Sequence, residues 1–312
     1  MPKQKMRSKN KTSAAVHRKA PGNRHAGGGK KNKPALIMLL IVIAAALILF
    51  WLIGNSGKTK NEQAHPPSYE PKETAPAVKP SLDYTESQYG IEMAYVLGGM
   101  FLMGCTPEQE EDCYDYEESP RLVNVSDFYI GKHEVTQAQW EAVMGGNPSH
   151  FKGDDLPVEN VSWEDAQAFI GKLNAATGRE YRLPTKAEWE YAARGGRQTR
   201  GYRYSGSNEV REVAWYEGNS DNKTHPVGTK KANELGIHDM SGNVWEWVSD
   251  LFGDNGDAAT PNTEVSDKGA FRVIRGGGWG SYARGVRVSN LFNNDPGYKY
   301  NILGFRLAMT YQ

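Results

Sequence analysis

The chain has 312 residues, and 37 Lys and Arg balance 37 Asp and Glu, so the formal net charge at pH 7 is zero. This composition suits one sizeable domain with additional segments. The charge is unevenly distributed, because residues 1–34 carry many Lys and Arg and no acid. An orientation signal for membrane insertion accounts for this basic arm, and we expect no nucleic-acid partner.

Residues 35–53, ALIMLLIVIAAALILFWLI, are apolar throughout. About 19 residues at 1.5 Å each are enough to cross the hydrocarbon core of a bilayer. The alternatives are a cleaved signal peptide, whose apolar core is usually shorter and precedes a small-residue cleavage site, and a buried core helix. We predict a transmembrane helix, with the basic arm in the cytoplasm and residues 54–312 outside it. A bacterial inner membrane with the domain in the periplasm is the expected location, and the endoplasmic reticulum is the alternative.

Residues 54–88 are rich in Pro, Lys, Glu and Ser and contain few large apolar side chains. Such a segment buries too little surface to fold, and its prolines keep it extended. We therefore predict a flexible linker at 54–88 and a folded domain at 89–312.

The sequence contains two cysteines, Cys105 and Cys113, in the stretch CTPEQEEDC. Outside the cytoplasm such a pair forms a disulfide that closes a small local loop. Two unlinked thiols are the alternative. Metal binding by the pair alone is not expected, because no further Cys or His lies at ligand spacing.

The folded domain opens with short apolar segments typical of strands. MAYVLGGMFLMGC, residues 93–105, predicts a hairpin around Gly98–Gly99, and another strand is predicted at about 121–130. Capping-box pairs predict the starts of three helices. These pairs are Thr136 with Gln139, Ser162 with Asp165, and Thr185 with Glu188. After Gly196 the sequence is rich in Gly, Asn and aromatic residues, so this half is predicted to be loop-rich.

Several stretches together resemble the formylglycine-generating enzyme, or sulfatase-modifying-factor, family. The most specific are RLPTKAEWEYAARGG at 182–196, DMSGNVWEW at 239–247 and LGFR at 303–306. Their order and spacing also fit, and the resemblance covers essentially all of 90–312. It implies an α+β fold, a loop-rich variant of the C-type-lectin-like fold.

The resemblance also implies where copper chemistry would occur. The enzymes of this family oxidise a sulfatase cysteine to formylglycine, with a copper-binding cysteine pair placed just after a GG-x-[YW] motif. Aligning GGGW, residues 276–279, puts Ser281 and Val286 at these two positions. Soft thiolates select Cu(I), and neither residue supplies one. We therefore expect no catalytic residue and no bound copper.

A serine nucleophile at Ser281 would need a nearby base, and its sequence neighbours offer none. The histidines of the folded domain are expected to be structural. These are His133, His150, His225 and His238.

The family resemblance further implies a structural calcium site. It maps the ligands onto the Asp239 and Glu246 side chains and the Gly242 and Val244 carbonyls. Carboxylate and backbone oxygens are the ligands that Ca²⁺ takes. The alternative is that both acids are capping or salt-bridged residues.

These expectations together predict a non-catalytic, membrane-anchored domain that binds a protein or peptide outside the cytoplasm. The surface around 275–300 is the expected contact face, because Arg and aromatic residues suit binding hot spots. The candidate binding residues are Trp279, Tyr282, Arg284 and Arg287. The alternatives are that these side chains pack a loop-rich core, or that the protein is an oxidoreductase that converts a sulfatase cysteine to formylglycine or performs a related oxidation in the same groove.

Overall fold

The structure is a computed structural model that describes residues 82–114, 117, 119–253 and 271–311. Its strands are β1 (Tyr84–Glu86), β2 (Ile91–Val96), β3 (Gly99–Met103), β4 (Arg121–Val125), β5 (Phe128–Gly131), β6 (Tyr181–Arg182), β7 (Trp245–Leu251), β8 (Arg272–Arg275), β9 (Leu291–Asn294), β10 (Leu303–Phe305) and β11 (Ala308–Thr310). Its α-helices are α1 (Gln137–Met144), α2 (Trp163–Thr177), α3 (Lys186–Ala193) and the single turn α4 (Val210–Val213). Short 3₁₀-helices occupy Pro107–Asp112, Gly196–Gln198 and Ala283–Val286.

The described strands form three sheets. The first has the order β1-β2-β5-β11-β6 with antiparallel pairing throughout, so the last strand lies between strands from the first half of the domain. The second has the order β10-β7-β8-β9, in which β10 and β7 are parallel. The third is the two-stranded ribbon β3-β4. This mixture of short strands and helices is the α+β fold that the sequence predicts.

The three predicted helix starts are confirmed. Thr136, Ser162 and Thr185 each accept a hydrogen bond from the backbone N–H three residues later, and the side chain there reaches back to the cap. The reciprocal bonds satisfy N–H groups that the helix itself leaves free. α2 buries Ala166, Phe169, Ile170 and Leu173 on one face.

Three local predictions are corrected by the observed strand pairing. β2 and β3 do not form a hairpin, because β2 pairs with β1 and β5 whereas β3 pairs with β4. The single strand expected at 121–130 is divided into β4 and β5, which belong to different sheets. The linker predicted at 54–88 is too long, because β1 already pairs with β2.

Two large clusters form the core. One surrounds Trp189 of α3, and the other surrounds Trp247 of β7 and Phe169 of α2. In the described part of the chain no helix is both long and apolar enough to cross a membrane. The transmembrane helix predicted at 35–53 and the basic arm before it lie outside the described residues.

Candidate functional site

The glycine run after β8 brings two backbone segments into close contact. Gly276 and Gly277 have φ angles of 90° and 72°, a region that side chains with a Cβ resist. A Cβ on Gly277 would lie 2.6 Å from the Gly285 carbonyl oxygen, and one on Gly278 would lie 2.4 Å from Ile302 Cγ1. The run therefore permits a tight fold of the loop formed by residues 275–289, called here the groove loop.

Trp279 anchors this loop through its backbone and its ring. Its N–H donates to the Asn243 carbonyl at 2.7 Å, and its indole Nε1 donates to the Asn301 carbonyl at 2.9 Å. The ring meets Phe151 edge-on with centroids 5.7 Å apart. Trp279 is half-buried, so it fixes the loop and still contributes to its surface.

The two positions that the family resemblance aligns with copper ligands carry other chemistry. Ser281 Oγ accepts a hydrogen bond from the Gly278 N–H at 3.0 Å, and the Ser281 N–H donates to the Gly278 carbonyl at 2.8 Å. Val286 is completely buried and packs in an apolar cluster with Tyr204, Val213, Ala214 and Tyr216. Ser281 closes a turn and Val286 fills an apolar cluster, and neither side chain offers a soft sulfur ligand to copper.

The predicted binding residues differ in their access to solvent. Tyr282 is 72% exposed and is available to a partner. Arg284 is half-buried, and its Nε donates to the Asp112 carbonyl at 2.6 Å. The same guanidinium donates to the Cys113 carbonyl and lies 3.8 Å from the centroid of the Tyr114 ring. Arg284 therefore connects the groove loop to the segment that contains both cysteines.

Arg287 is not a surface residue, and the prediction that it contacts a partner is corrected. Its side chain is fully buried and forms an ion pair with Glu117. Its Nε also donates to the Arg284 carbonyl at 2.8 Å, and its NH1 donates to Ser289 Oγ at 3.1 Å. The Arg287 guanidinium therefore makes its contacts inside the domain and is not available to a partner.

The cysteine segment, defined here as residues 105–114 with Glu117, lies against the groove loop, which sequence reasoning missed. Cys105 and Cys113 face each other with Cα atoms 6.0 Å apart, a separation typical of disulfides. Cys113 Sγ is 4.0 Å from Arg287 NH1. No local signal in the sequence points to a contact between segments 174 residues apart. The disulfide itself stays a prediction.

The two side chains predicted to bind calcium differ in how many hydrogen bonds they already accept. Asp239 is buried, its Oδ2 accepts from the Gly228 N–H at 2.7 Å, and its Oδ1 is buried without a hydrogen-bond partner. A buried carboxylate oxygen of this kind suits a hard cation. Glu246, in contrast, accepts from Trp189 Nε1 and from Arg306 Nε and NH2, each at 2.7 Å. A calcium site therefore stays a prediction, with Asp239 as the side chain free to ligate and Glu246 already paired.

The buried carboxyl group of Glu134 lies close to Asp239 and Glu246. Glu134 accepts from Asn243 Nδ2 at 2.7 Å and from the Val244 N–H at 3.1 Å. Burial, together with the nearby charges of Asp239 and Glu246, raises the pKa of Glu134 well above its usual value. Neither Glu134 nor Arg306 was predicted from the sequence to have a role. The only signal was a charged residue inside each of the motifs HEVT and LGFR.

Fold and loop together define an α+β domain with a glycine-rich groove loop that carries Ser281 and Val286. The chain belongs to the sulfatase-modifying factor enzyme 1-like domain family, whose model matches residues 79–311. The family resemblance found in the sequence is thus confirmed.

Curated relatives include both active and inactive proteins. The chaperone protein LppX of Paenibacillus barcinonensis is 40% identical over an alignment that covers 55% of this chain and 76% of LppX. The formylglycine-generating enzyme of Streptomyces coelicolor is 36% identical, with 56% of this chain and 59% of the enzyme covered. The inactive C-alpha-formylglycine-generating enzyme 2 of Bos taurus is 30% identical, with 56% and 57% covered. The chain thus spans less than two thirds of the last two proteins.

Solved structures share the fold. Treponema denticola variable protein 1 superposes with a TM-score of 0.63 at 32% sequence identity. The match covers 75% of this chain and 100% of that protein.

Proposed function

We propose that this chain is a non-catalytic member of the family that binds protein or peptide at the groove loop, outside the cytoplasm, and is held to a membrane by residues 35–53. The observation that carries the proposal is the pair Ser281 and Val286. Val286 is locked into an apolar cluster, so its replacement by a metal ligand would also disturb packing.

The relatives support binding without chemistry. A chaperone, as LppX is named, acts on other polypeptides by binding them. The name of the Bos taurus relative states that it is inactive. The exposed aromatic residues near the groove loop supply a contact surface of the kind that binding hot spots use. They include Tyr282 at 72% exposure, Tyr300 at 53% and Phe292 at 47%.

The membrane anchor is supported by the sequence alone. Nineteen apolar residues follow an arm that is basic and free of acid, and this order places the arm in the cytoplasm. Protease added to intact spheroplasts of a bacterial host should digest the domain and spare a cytoplasmic control protein. Protection of the domain until the membrane is lysed would contradict this topology.

The non-catalytic role is tested with the full-length protein purified in mild detergent. The protein is loaded with Cu(I) against a competing chelator, and a cysteine-containing sulfatase peptide is added with oxygen and reductant. The Streptomyces coelicolor formylglycine-generating enzyme is the positive control in the same assay. We expect no retained copper and no formylglycine in the peptide by mass spectrometry. Formylglycine at a rate comparable to the control would establish the oxidoreductase alternative instead.

A further inference from the structure

A cavity of about 290 Å³ opens beside the groove loop. Its walls include Phe151, Lys152, Lys223, Thr224 and His225, which come from two separate segments. The volume suits one amino-acid side chain or the end of a polypeptide. The copper positions of the family alignment do not line it, so its chemistry can be considered separately.

Thr224 gives the cavity an unused donor. Thr224 is 3% exposed, and its Oγ1 is buried with no hydrogen-bond partner. Buried hydroxyls are nearly always paired in folded proteins, because an unpaired one lowers stability. An acceptor oxygen on a ligand in the cavity would satisfy this group.

Two lysine side chains lie at the opening of the same cavity. Lys152 and Lys223 are both exposed, and Lys152 Nζ donates to the Asn147 carbonyl at 2.9 Å, which holds its side chain in place. The neighbouring acids Asp154, Asp155 and Asp221 are exposed, whereas Glu159 is buried and accepts from the Phe151 N–H at 2.8 Å. None of the four is among the wall residues. Two ammonium groups and one hydroxyl are all donors, so together they fit the paired oxygens of an anion.

His225 and Phe151 join the cavity to the groove loop. His225 Nε2 lies 2.8 Å from the Ser220 carbonyl, and Ser220 Oγ donates to the Trp279 carbonyl at 2.8 Å. The His225 ring also stacks on Trp215 with centroids 3.7 Å apart, which fixes its position. Because Phe151 contacts Trp279 edge-on, a ligand in the cavity would touch the same surface as a polypeptide bound at the groove loop.

We propose that this cavity binds a carboxylate of the polypeptide that the domain holds, with Lys152, Lys223 and the Thr224 hydroxyl as donors and Phe151 as the apolar wall. The proposal rests on the proposed binding function and adds the chemistry of the ligand to it. An acidic side chain and the carboxyl end of a polypeptide offer the same carboxylate, and the experiment distinguishes them.

The experiment follows the His225 imidazole in the full-length protein by NMR, with ¹³C-labelled histidine and mild detergent. His225→Gln identifies the signal by its loss. Three tripeptides are titrated: N-acetylated, C-amidated Gly-Asp-Gly; N-acetylated Gly-Gly-Gly with a free carboxyl end; and N-acetylated, C-amidated Gly-Asn-Gly. We expect a saturable shift with the first if a side chain is the ligand, with the second if a free carboxyl end is, and none with the third.

Two variants and one control variant separate an effect on binding from an effect on folding. Lys223→Ala should weaken the binding of the carboxylate peptide at least fivefold, whereas Lys172→Ala, at an exposed position on α2, should leave it unchanged. Thr224→Val should weaken binding at least threefold without lowering the melting temperature, because it removes a hydroxyl that has no partner in the folded protein. A purely structural Thr224 would lower the melting temperature and leave binding unchanged.

The proposal is overturned if neither carboxylate peptide gives a saturable shift, if the Asn peptide binds equally well, or if Lys172→Ala weakens binding as much as Lys223→Ala. These outcomes are independent of the copper and formylglycine assay. Formylglycine formation would refute the non-catalytic role, and the peptide titration would still report on the cavity.

Discussion

Arg287 of the groove loop is paired with Glu117, 170 residues away in the sequence, and both side chains are fully buried. Ser289 Oγ donates to Glu117 Oε2 at 2.9 Å on the same side of the pair. Arg284 is bound to the Asp112 and Cys113 carbonyls. The cysteine segment therefore packs against the groove loop through buried polar contacts, so the conformation of the loop depends on that segment.

Removal of one partner of the buried pair should be costly. Arg287→Met leaves the Glu117 carboxylate buried and uncompensated, so we expect the free energy of unfolding in urea to fall by about 3–5 kcal/mol. Arg287→Met combined with Glu117→Leu should recover most of this loss, because two apolar side chains leave no buried charge. Arg200→Ala is the matched control, since Arg200 is 69% exposed and its pair with Glu234 should contribute less than about 1 kcal/mol. Equal losses in Arg287→Met and Arg200→Ala would contradict the role of the buried pair.

The predicted disulfide should stabilise the same contact. Cys105 and Cys113 are separated by eight positions, and closing a loop of this size typically stabilises a domain by about 2–3 kcal/mol. Alkylation of the oxidised, unfolded protein should leave both cysteines unmodified by intact mass. Reduction should then raise hydrogen exchange in the peptide that covers 281–289, because Arg284 and Arg287 lose a fixed partner segment, while exchange in α2 stays unchanged. Two alkylated thiols in protein purified from an oxidising compartment would count against the disulfide.

The features predicted correctly from the sequence are those that local hydrogen bonds determine. Thr136, Ser162 and Thr185 cap their helices through bonds that span three residues, and the amino-acid pattern alone contains that information. The motifs RLPTKAEWEYAARGG, DMSGNVWEW and LGFR likewise identified the family, because they are specific stretches of sequence.

The missed features depend on contacts between distant segments. β2 and β3 are adjacent in sequence, with only Leu97 and Gly98 between them, yet each pairs with other strands. Arg287 looked like a surface hot-spot residue, because nothing local signals that Glu117 neutralises it. Thr224 was not singled out for a similar reason, since the cavity it lines is formed by two segments that the sequence keeps apart.

His133 should make a contribution to stability that is lost in mild acid. Burial, followed by the positive charges of His238, Arg306 and Lys132, lowers the pKa of His133 from 6.5 to about 4. The unfolded protein therefore binds a proton on His133 between about pH 6.5 and pH 4, whereas the folded protein does not. The contribution of His133 to the free energy of unfolding is fully present above pH 6.5 and falls by about 2 kcal/mol as the pH decreases towards 4, for a half-buried ring.

Urea unfolding at a series of pH values between 4 and 7.5 measures this dependence. His133→Gln should flatten the decrease in that window, whatever its effect on absolute stability. His150→Gln, at an exposed position, is the control and should leave the pH dependence unchanged. Equal slopes in the parent protein and His133→Gln would show that another group titrates there.

The predicted calcium site depends on the carboxylate of Asp239. Its Oδ1 is buried without a partner, and its φ angle is 57°, a conformation that Asn tolerates as well as Asp. Asp239→Asn therefore keeps the backbone and an acceptor for the Gly228 N–H, and removes the negative charge that a hard cation needs. In the parent protein, a calcium chelator should lower the melting temperature, and added Ca²⁺ should restore it, because a ligand that binds only the folded state stabilises it by mass action. The Asn variant should melt at the same temperature with and without Ca²⁺, whereas Asp154→Asn, at an exposed site, should behave like the parent.

Because Glu246 is already paired with Arg306, calcium held mainly by Asp239 and backbone carbonyls should bind in the weaker range known for extracellular modules, near 10⁻⁴ M. A melting temperature of the parent protein that does not change with Ca²⁺ up to about ten times that concentration would remove the calcium site, and Asp239 would then be a buried acid held by Gly228 alone.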